Sequence, residues 1–126
     1  MNEAIATNAA PSAIGPYSQA IRQGNLLFVS GQLGLDPATG EMVSQEAVDQ
    51  ARQALTNLTA IAAAAGTDLS KTVKTTIFLT ELSGFADINK VYGEAFDKPY
   101  PARSTIEVSA LPKGGKVEIE AIIALE

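Results

Sequence analysis

One arginine and two glutamates near the end of the 126-residue chain lie on neighbouring stretches of alternating polar and apolar residues. Arg103 lies in the first stretch, and Glu118 and Glu120 lie in the second. A guanidinium group binds a carboxylate through two parallel hydrogen bonds, and a neighbouring carboxylate can orient or deprotonate a water molecule. If the two stretches pair as adjacent strands, these residues could meet and hydrolyse a small anionic substrate.

The same charges also have a purely structural interpretation. Arg103 could form an ordinary cross-strand ion pair with Glu107, Glu118 or Glu120 on a face of the sheet that is exposed to solvent. On the residue types alone, this interpretation is favoured over a catalytic one.

The composition excludes several kinds of catalytic chemistry. The chain contains no cysteine and no histidine, which removes thiolate nucleophiles, disulfides, cysteine metal sites and imidazole bases. Any catalysis must therefore use carboxylates, hydroxyls, tyrosine, lysine, arginine, backbone groups or bound water.

The balance of charge argues against nucleic acid as the main partner. The chain has 9 Lys and Arg against 14 Asp and Glu, a formal net charge of -5. The basic residues are dispersed, so the footprint of a phosphate-binding surface is missing. The N-terminal segment lacks the pattern of a secretory signal, and the apolar runs are far shorter than the roughly 18 to 20 residues that cross a bilayer. We therefore expect a cytoplasmic protein that does not enter membranes.

The hydrophobic periodicity predicts the elements that position the charged residues. Apolar residues recur at helical spacing after Ser44 and after Ser83, and each serine can cap the helix that it precedes. Short runs rich in Val, Ile, Thr and Phe predict strands. In chain order the predicted elements are a hairpin over 20–30, an irregular connection over 31–43, a helix from Ser44 to Gly66, a strand over 72–80, a helix from Ser83 to Lys98, and strands over 103–108 and 117–125.

This order, ββαβαββ, predicts a single domain over 1–126 of the α+β class. Two helices suffice to cover one face of a small sheet, which gives a two-layer α/β sandwich whose other face is either wet or buried by a partner. In the last strand, alternation sends the odd-numbered apolar residues to the core and Glu118, Glu120 and Ile122 to the opposite face.

Segments along nearly the whole chain resemble the RidA (YjgF) family, and they occur in the same order as in that family. They are AIGPYS at 13–18, SGQ at 30–32, FADIN at 85–89, PARSTIEV at 101–108, LPK at 111–113 and VEIEA at 117–121.

The resemblance implies a fold, an assembly and a function. Family members have a chorismate-mutase-like fold with a mixed sheet and two helices on one face, and they form homotrimers with ligand sites between subunits. Characterised members hydrolyse 2-iminopropanoate and 2-iminobutanoate, which leave pyridoxal-phosphate-dependent dehydratases, to 2-oxo acids and ammonia. The resemblance implies that no metal or organic cofactor is needed.

By resemblance, Arg103 holds the substrate carboxylate and Glu118 positions or activates the attacking water, which makes Glu120 the weaker catalytic candidate. Thr105 stands where several relatives carry cysteine, so thiol chemistry reported in the family does not transfer to this chain. Other positions have structural alternatives as turn, strand or exposed helix residues. The substrate-binding positions implied by resemblance, besides Arg103, are Tyr17, Ser30, Gly31, Asn89 and Thr105.

Two other functions stay open. A non-catalytic module could capture a 2-oxo acid or another small carboxylate in the same cleft, because a fold does not fix an activity. Glu118 separates the two hypotheses, since a carboxylate binder gains nothing obvious from a second anion nearby. A ribonuclease or translation inhibitor, as some relatives are described, is disfavoured by the acidic charge and the absence of histidine.

Overall fold

A computed structural model describes all 126 residues, which form six strands and two α-helices. This confirms the predicted α+β class and element order, and adds one short strand at the N-terminus. The strands are β1 (Glu3–Ile5), β2 (Ala20–Gln23), β3 (Leu26–Leu33), β4 (Thr72–Leu79), β5 (Ala102–Glu107) and β6 (Val117–Ala124), and the helices are α1 (Ala47–Ala64) and α2 (Phe85–Ala95). Short 3-10 helices occupy Leu69–Lys71, Leu82–Gly84 and Pro112–Gly114.

The six strands form one mixed sheet in the order β1-β2-β3-β6-β4-β5. β2 and β3 form the predicted antiparallel hairpin, whose turn contains Gly24 at a positive φ of 60°. β4 and β5 run parallel and are connected by α2, whereas β6 lies antiparallel between β3 and β4.

The hypothesis that the last two strands pair is therefore wrong. A strand–helix–strand unit places its second strand parallel to the first, so the connection through α2 places β5 beside β4 on one side. β6 then occupies the other side of β4, and β4 separates the strand of Arg103 from the strand of Glu118.

α1 packs on the sheet through a stripe of small and apolar side chains at helical spacing. Its first turn begins at Ala47, later than the predicted cap at Ser44. The Ser44 hydroxyl instead accepts a hydrogen bond from the Glu46 N–H, which closes a turn before the helix. The α1 residues at most 5% exposed in the apolar core are Ala51, Ala54, Leu55, Leu58, Ile61 and Ala62.

Both helices lie on one face of the sheet, and the opposite face has no covering layer within the chain. That open face carries large apolar side chains, with Phe28 42% and Ile106 45% exposed. These side chains have no layer of the same chain to pack against. Neither helix combines the length and the apolar character that a membrane span requires.

Candidate functional site

Arg103 on β5 points to α2 and not to β6. Its Nη1 donates a hydrogen bond of 2.8 Å to Oδ1 of Asn89. Its guanidinium carbon lies 5.1 Å from the centre of the Phe85 ring and 4.8 Å from that of Tyr92. These three α2 residues share one helix face because they are spaced by four and three positions. Both rings contact the guanidinium group through cation–π interactions. Its other N–H groups donate no hydrogen bond within the chain and are available to an anion.

Tyr92 is itself fixed from β4. Its hydroxyl and that of Thr75 form a buried hydrogen bond of 2.7 Å. The centre of its ring lies 4.6 Å from the centre of the Phe96 ring. Burial raises the pKa of Tyr92, and the Thr75 hydroxyl and the Arg103 charge oppose this rise. The ring under Arg103 is therefore a neutral phenol at neutral pH.

Arg103 lines a cleft of about 470 Å³ between α2 and the start of β5. No acidic residue lines it. Thr105 lies on the same face of β5, half-buried beside Ile77, but does not line this cleft. We call it the arginine cleft, and its lining residues are Asn89, Tyr92, Gly93, Tyr100, Pro101 and Arg103.

Ser30 and Gly31 form a β-bulge in β3. Val29 pairs with Ala121 and Gln32 with Ile119, so two residues of β3 lie opposite the single residue Glu120 of β6. The prediction of an irregular connection from residue 31 is wrong at its start, because residues 31–33 belong to β3. The inserted residue breaks the alternation by which a strand is detected in the sequence.

Glu118 lies against the backbone of this bulge. A Cβ atom on Gly31 would come within 2.8 Å of Cδ of Glu118, so only glycine leaves room for the carboxylate there. Burial, and to a smaller extent the charge of Glu120, raises the pKa of Glu118 above its ordinary value. Neither ion pair in the chain involves Glu118 or Arg103.

Glu118 lines a second cleft, which has a volume of about 640 Å³. Tyr17 is 53% exposed at this cleft, and its hydroxyl accepts a 3.4 Å hydrogen bond from the Ile14 N–H. The Ser30 hydroxyl donates a 2.5 Å hydrogen bond to the Ser18 carbonyl, which ties the bulge to the segment that carries Tyr17. We call this the glutamate cleft, and its lining includes Tyr17, Ser30, Gly31, Lys113, Glu118 and Glu120.

The structure thus separates the predicted site residues into two groups. Tyr17, Ser30, Gly31 and Glu118 line the glutamate cleft, whereas Asn89 and Arg103 line the arginine cleft. The two clefts open on opposite faces of the sheet. The cross-strand ion pair is not formed either, because Arg103 binds Asn89 and the Glu107 carboxylate accepts a 2.9 Å hydrogen bond from the Leu82 N–H.

Sequence reasoning missed three residues that build these clefts. Buried Gln19 donates to the carbonyls of Thr7, Ala10 and Pro11 and so anchors the N-terminal segment beside the glutamate cleft. Nothing in the sequence distinguishes this glutamine from a surface residue. Phe85 and Tyr92 were not predicted to support Arg103, although their helical spacing from Asn89 indicates a shared face.

The fold and the clefts define a small two-layer α+β protein with a cleft that holds Arg103 on one face of its sheet and a cleft that holds Glu118 on the other. The family model described as Endoribonuclease L-PSP matches residues 7–125. RutC family protein y4sK of Sinorhizobium fredii is 69% identical over 99% of both chains. The chain belongs to the RidA (YjgF) family.

Two further comparisons bear on this assignment. The protein named 2-iminobutanoate/2-iminopropanoate deaminase of Capra hircus is 50% identical to this chain, over 94% of this chain and 86% of that protein. The crystal structure of RidA from Psychrobacter sp. superposes with a TM-score of 0.93 at 48% identity and covers 97% of this chain and 98% of that one. The family therefore includes proteins named for the deamination of reactive imines.

Proposed function

We propose that this protein hydrolyses 2-imino acids, such as 2-iminobutanoate and 2-iminopropanoate, or their enamine tautomers, to 2-oxo acids and ammonia. One observation carries the proposal. The guanidinium group of Arg103 is held in place but has no acidic partner, and the half-buried carboxylate of Glu118 has no basic partner. A substrate that joins a carboxylate to a hydrolysable C=N bond requires both groups. Relatives about 50% identical are named for this reaction.

The chemistry assigns one task to each group. Arg103 binds the substrate carboxylate, and Glu118 accepts a proton from a water molecule as the water oxygen bonds to the imine carbon. The proton then passes to the nitrogen, which gives a carbinolamine. The hydroxyl proton of the carbinolamine is next transferred through Glu118 to the amino nitrogen, and the C–N bond breaks as the C=O bond of the 2-oxo acid forms and ammonia leaves. Because burial raises the pKa of Glu118, this carboxyl holds the transferred proton more readily than an ordinary glutamate.

The proposed division of tasks between Arg103 and Glu118 calls for a second subunit. Since the two clefts lie on opposite faces of one sheet, Arg103 and Glu118 can reach one substrate only when they come from different chains. We infer a homotrimer in which the arginine cleft of each subunit faces the glutamate cleft of the next. Phe28, Ile106 and Ile122 on the open face provide apolar surface for that assembly.

A coupled assay tests the proposal. Threonine and a dehydratase generate 2-iminobutanoate, and 2-oxobutanoate is followed with the native protein and with Arg103→Ala and Glu118→Gln. We expect native protein to exceed spontaneous hydrolysis, and each variant to lose about 10²- to 10⁴-fold in activity. Arg52→Ala is the matched control, because Arg52 pairs with Glu94 outside both clefts. Absence of acceleration by native protein would reject the enzyme.

The second candidate is a non-catalytic module for small carboxylates, favoured by the fact that the arginine cleft holds a cation and no acidic residue. Calorimetry with 2-oxobutanoate separates the two functions. In the module, Arg103→Ala abolishes binding and no preparation accelerates hydrolysis. In the enzyme, Glu118→Gln still binds but does not turn over. Cleavage of RNA that is lost in Arg103→Ala and retained in Glu118→Gln would instead favour a ribonuclease.

A further inference from the structure

One face of α1 carries three amide side chains. Gln50, Gln53 and Asn57 are spaced by three and four positions and therefore share that face. Gln50 is 1% exposed and Asn57 is fully buried. Gln53 donates a 2.9 Å hydrogen bond to Oδ1 of Asn57 and so orients its amide. A buried amide is costly unless it is paired, so the partners of Gln50 and Asn57 show what this face of the helix holds.

Asn57 holds the end of β3 against the helix. Its Nδ2 donates hydrogen bonds of 3.1 Å and 3.0 Å to the carbonyls of Leu33 and Leu35. A Cβ atom on Gly34, which lies between them, would come within 2.5 Å of Cα of Gln50. The end of β3 is therefore in direct contact with the backbone of α1.

Gln50 holds the start of β6. Its Oε1 accepts a 2.8 Å hydrogen bond from the Lys116 N–H, and its Nε2 donates one of 2.9 Å to the Ser44 carbonyl. The Lys116 carbonyl accepts a 3.2 Å hydrogen bond from the Thr80 N–H, directly after β4. Lys116 lies two residues before Glu118. Both backbone groups of Lys116 are thus fixed just before β6 begins.

These two contacts with α1 flank Glu118. Leu33 and Glu118 form the last pair between β3 and β6, and the end of a ladder opens most easily because no further pair holds it. Val117 and Ile119 are fully buried under the helices, so the Glu118 side chain points to the opposite face, where its carboxylate lies against the bulge at Gly31. The position of that carboxylate therefore depends on bonds that α1 forms behind the sheet.

We propose that Gln50 is a positioning residue for Glu118, and that its bond to Lys116 holds the start of β6 where the carboxylate lies against Gly31. The inference rests on the proposed deaminase function and adds a residue that does not touch the substrate. The hydrogen bonds of Gln50 join groups of one chain, so they form independently of the subunit that faces the glutamate cleft.

Two variants that each remove a hydrogen bond to β6 test the proposal. In Gln50→Met the side chain keeps a similar length but loses its bond near Glu118. Thr67→Val is the matched control, because the buried Thr67 hydroxyl donates a 2.7 Å hydrogen bond to the Ala124 carbonyl at the other end of β6. If Gln50→Met does not fold, Gln50→Asn replaces it, since its amide is one methylene too short to span the same two backbone groups.

Turnover and binding should separate in Gln50→Met. Calorimetry with 2-oxobutanoate should give close to the native affinity, because Arg103 lies on the other face of the sheet and no α1 residue lines its cleft. The kcat for 2-iminobutanoate should fall by about tenfold to hundredfold, since a small displacement of a catalytic group is costly. Thr67→Val should keep both native values. Equal losses in the two variants, or joint loss of binding and kcat in Gln50→Met, would assign Gln50 to general stability and overturn the proposal.

Titration of the Glu118 carboxyl by carbon NMR needs no turnover. In Gln50→Met its midpoint should move to lower pH, because burial is the main cause of its raised pKa and a displaced carboxylate gains water. Thr67→Val should keep the native midpoint. Both variants retain the ionisable groups that share the glutamate cleft or the adjoining open face, which are Tyr17, Lys74, Lys113 and Glu120.

The two measurements distinguish this proposal from the proposed function. If native protein does not hydrolyse 2-iminobutanoate but the Glu118 midpoint falls in Gln50→Met alone, the deaminase is rejected while the positioning role stands. If native protein hydrolyses it and Gln50→Met changes neither kcat nor the midpoint, the positioning role is rejected while the deaminase stands.

Discussion

At the scale of single residues, the properties of Glu118 come from its neighbours on the sheet. The bulge at Gly31 lets the carboxylate lie against backbone, and this burial is the larger cause of its raised pKa. Glu120 adds to the rise because two negative charges on one strand face oppose each other's ionisation. If Glu118 accepts a proton from water, it must be ionised first, so activity should increase as the pH rises through its pKa.

Glu120→Gln should move this acidic limb to lower pH. The substitution removes the charge that raises the pKa of Glu118 but leaves its burial, so the limb should shift part of the way towards the range of an ordinary glutamate. Profiles of kcat/KM against pH for native protein and Glu120→Gln measure the shift. Glu46→Gln, at an exposed position outside both clefts, should leave the profile unchanged. A limb that moves upwards would contradict the assigned role of Glu118.

At the scale of elements, residues of β4 and α2 together hold the guanidinium group of Arg103 in place. Thr75 on β4 binds the Tyr92 hydroxyl, and Tyr92 supports the guanidinium from α2. Both hydroxyls are buried, so removing one leaves the other without a partner. Such a loss costs more than replacing both groups by apolar ones, because only the single change strands a polar group in the core.

Tyr92→Phe should therefore destabilise the protein by about 1 to 3 kcal/mol. The double variant Tyr92→Phe with Thr75→Val should recover part of that loss, since no polar group then stays unpaired. Denaturant unfolding of native protein, both single variants and the double variant measures the coupling. Strict additivity of the two single effects would show that the hydrogen bond does not couple β4 to α2.

The elements could be predicted from the sequence, but their arrangement could not. Periodicity found both helices and five strands, whereas β1, with three residues, was too short to give a pattern. The bulge at Ser30 concealed the end of β3. The order of the strands depends on how α2 packs after β4, which no local pattern reports, so the sequence left open whether Arg103 and Glu118 meet within one chain. Their assignment as site residues rests on the family resemblance and stays a prediction.

At the scale of the whole molecule, the separation of the two clefts bears on how subunits assemble. In the proposed trimer, each site takes Arg103 from one subunit and Glu118 from the next. The variants Arg103→Ala and Glu118→Gln then lack different halves of the site, and each forms a trimer with three incomplete sites. Subunits of the two variants should therefore complement each other when they assemble together.

Mixed trimers give this prediction a definite magnitude. In a ring with two subunits of one variant and one of the other, only one junction joins an intact Arg103 to an intact Glu118, whichever variant is in excess. Co-expression with two different tags, followed by purification on both, should therefore yield trimers with about one third of the native activity. Differently tagged copies of a single variant should stay inactive after the same procedure. If both groups instead acted within one chain, every chain in the mixture would lack one of them, and no activity would return.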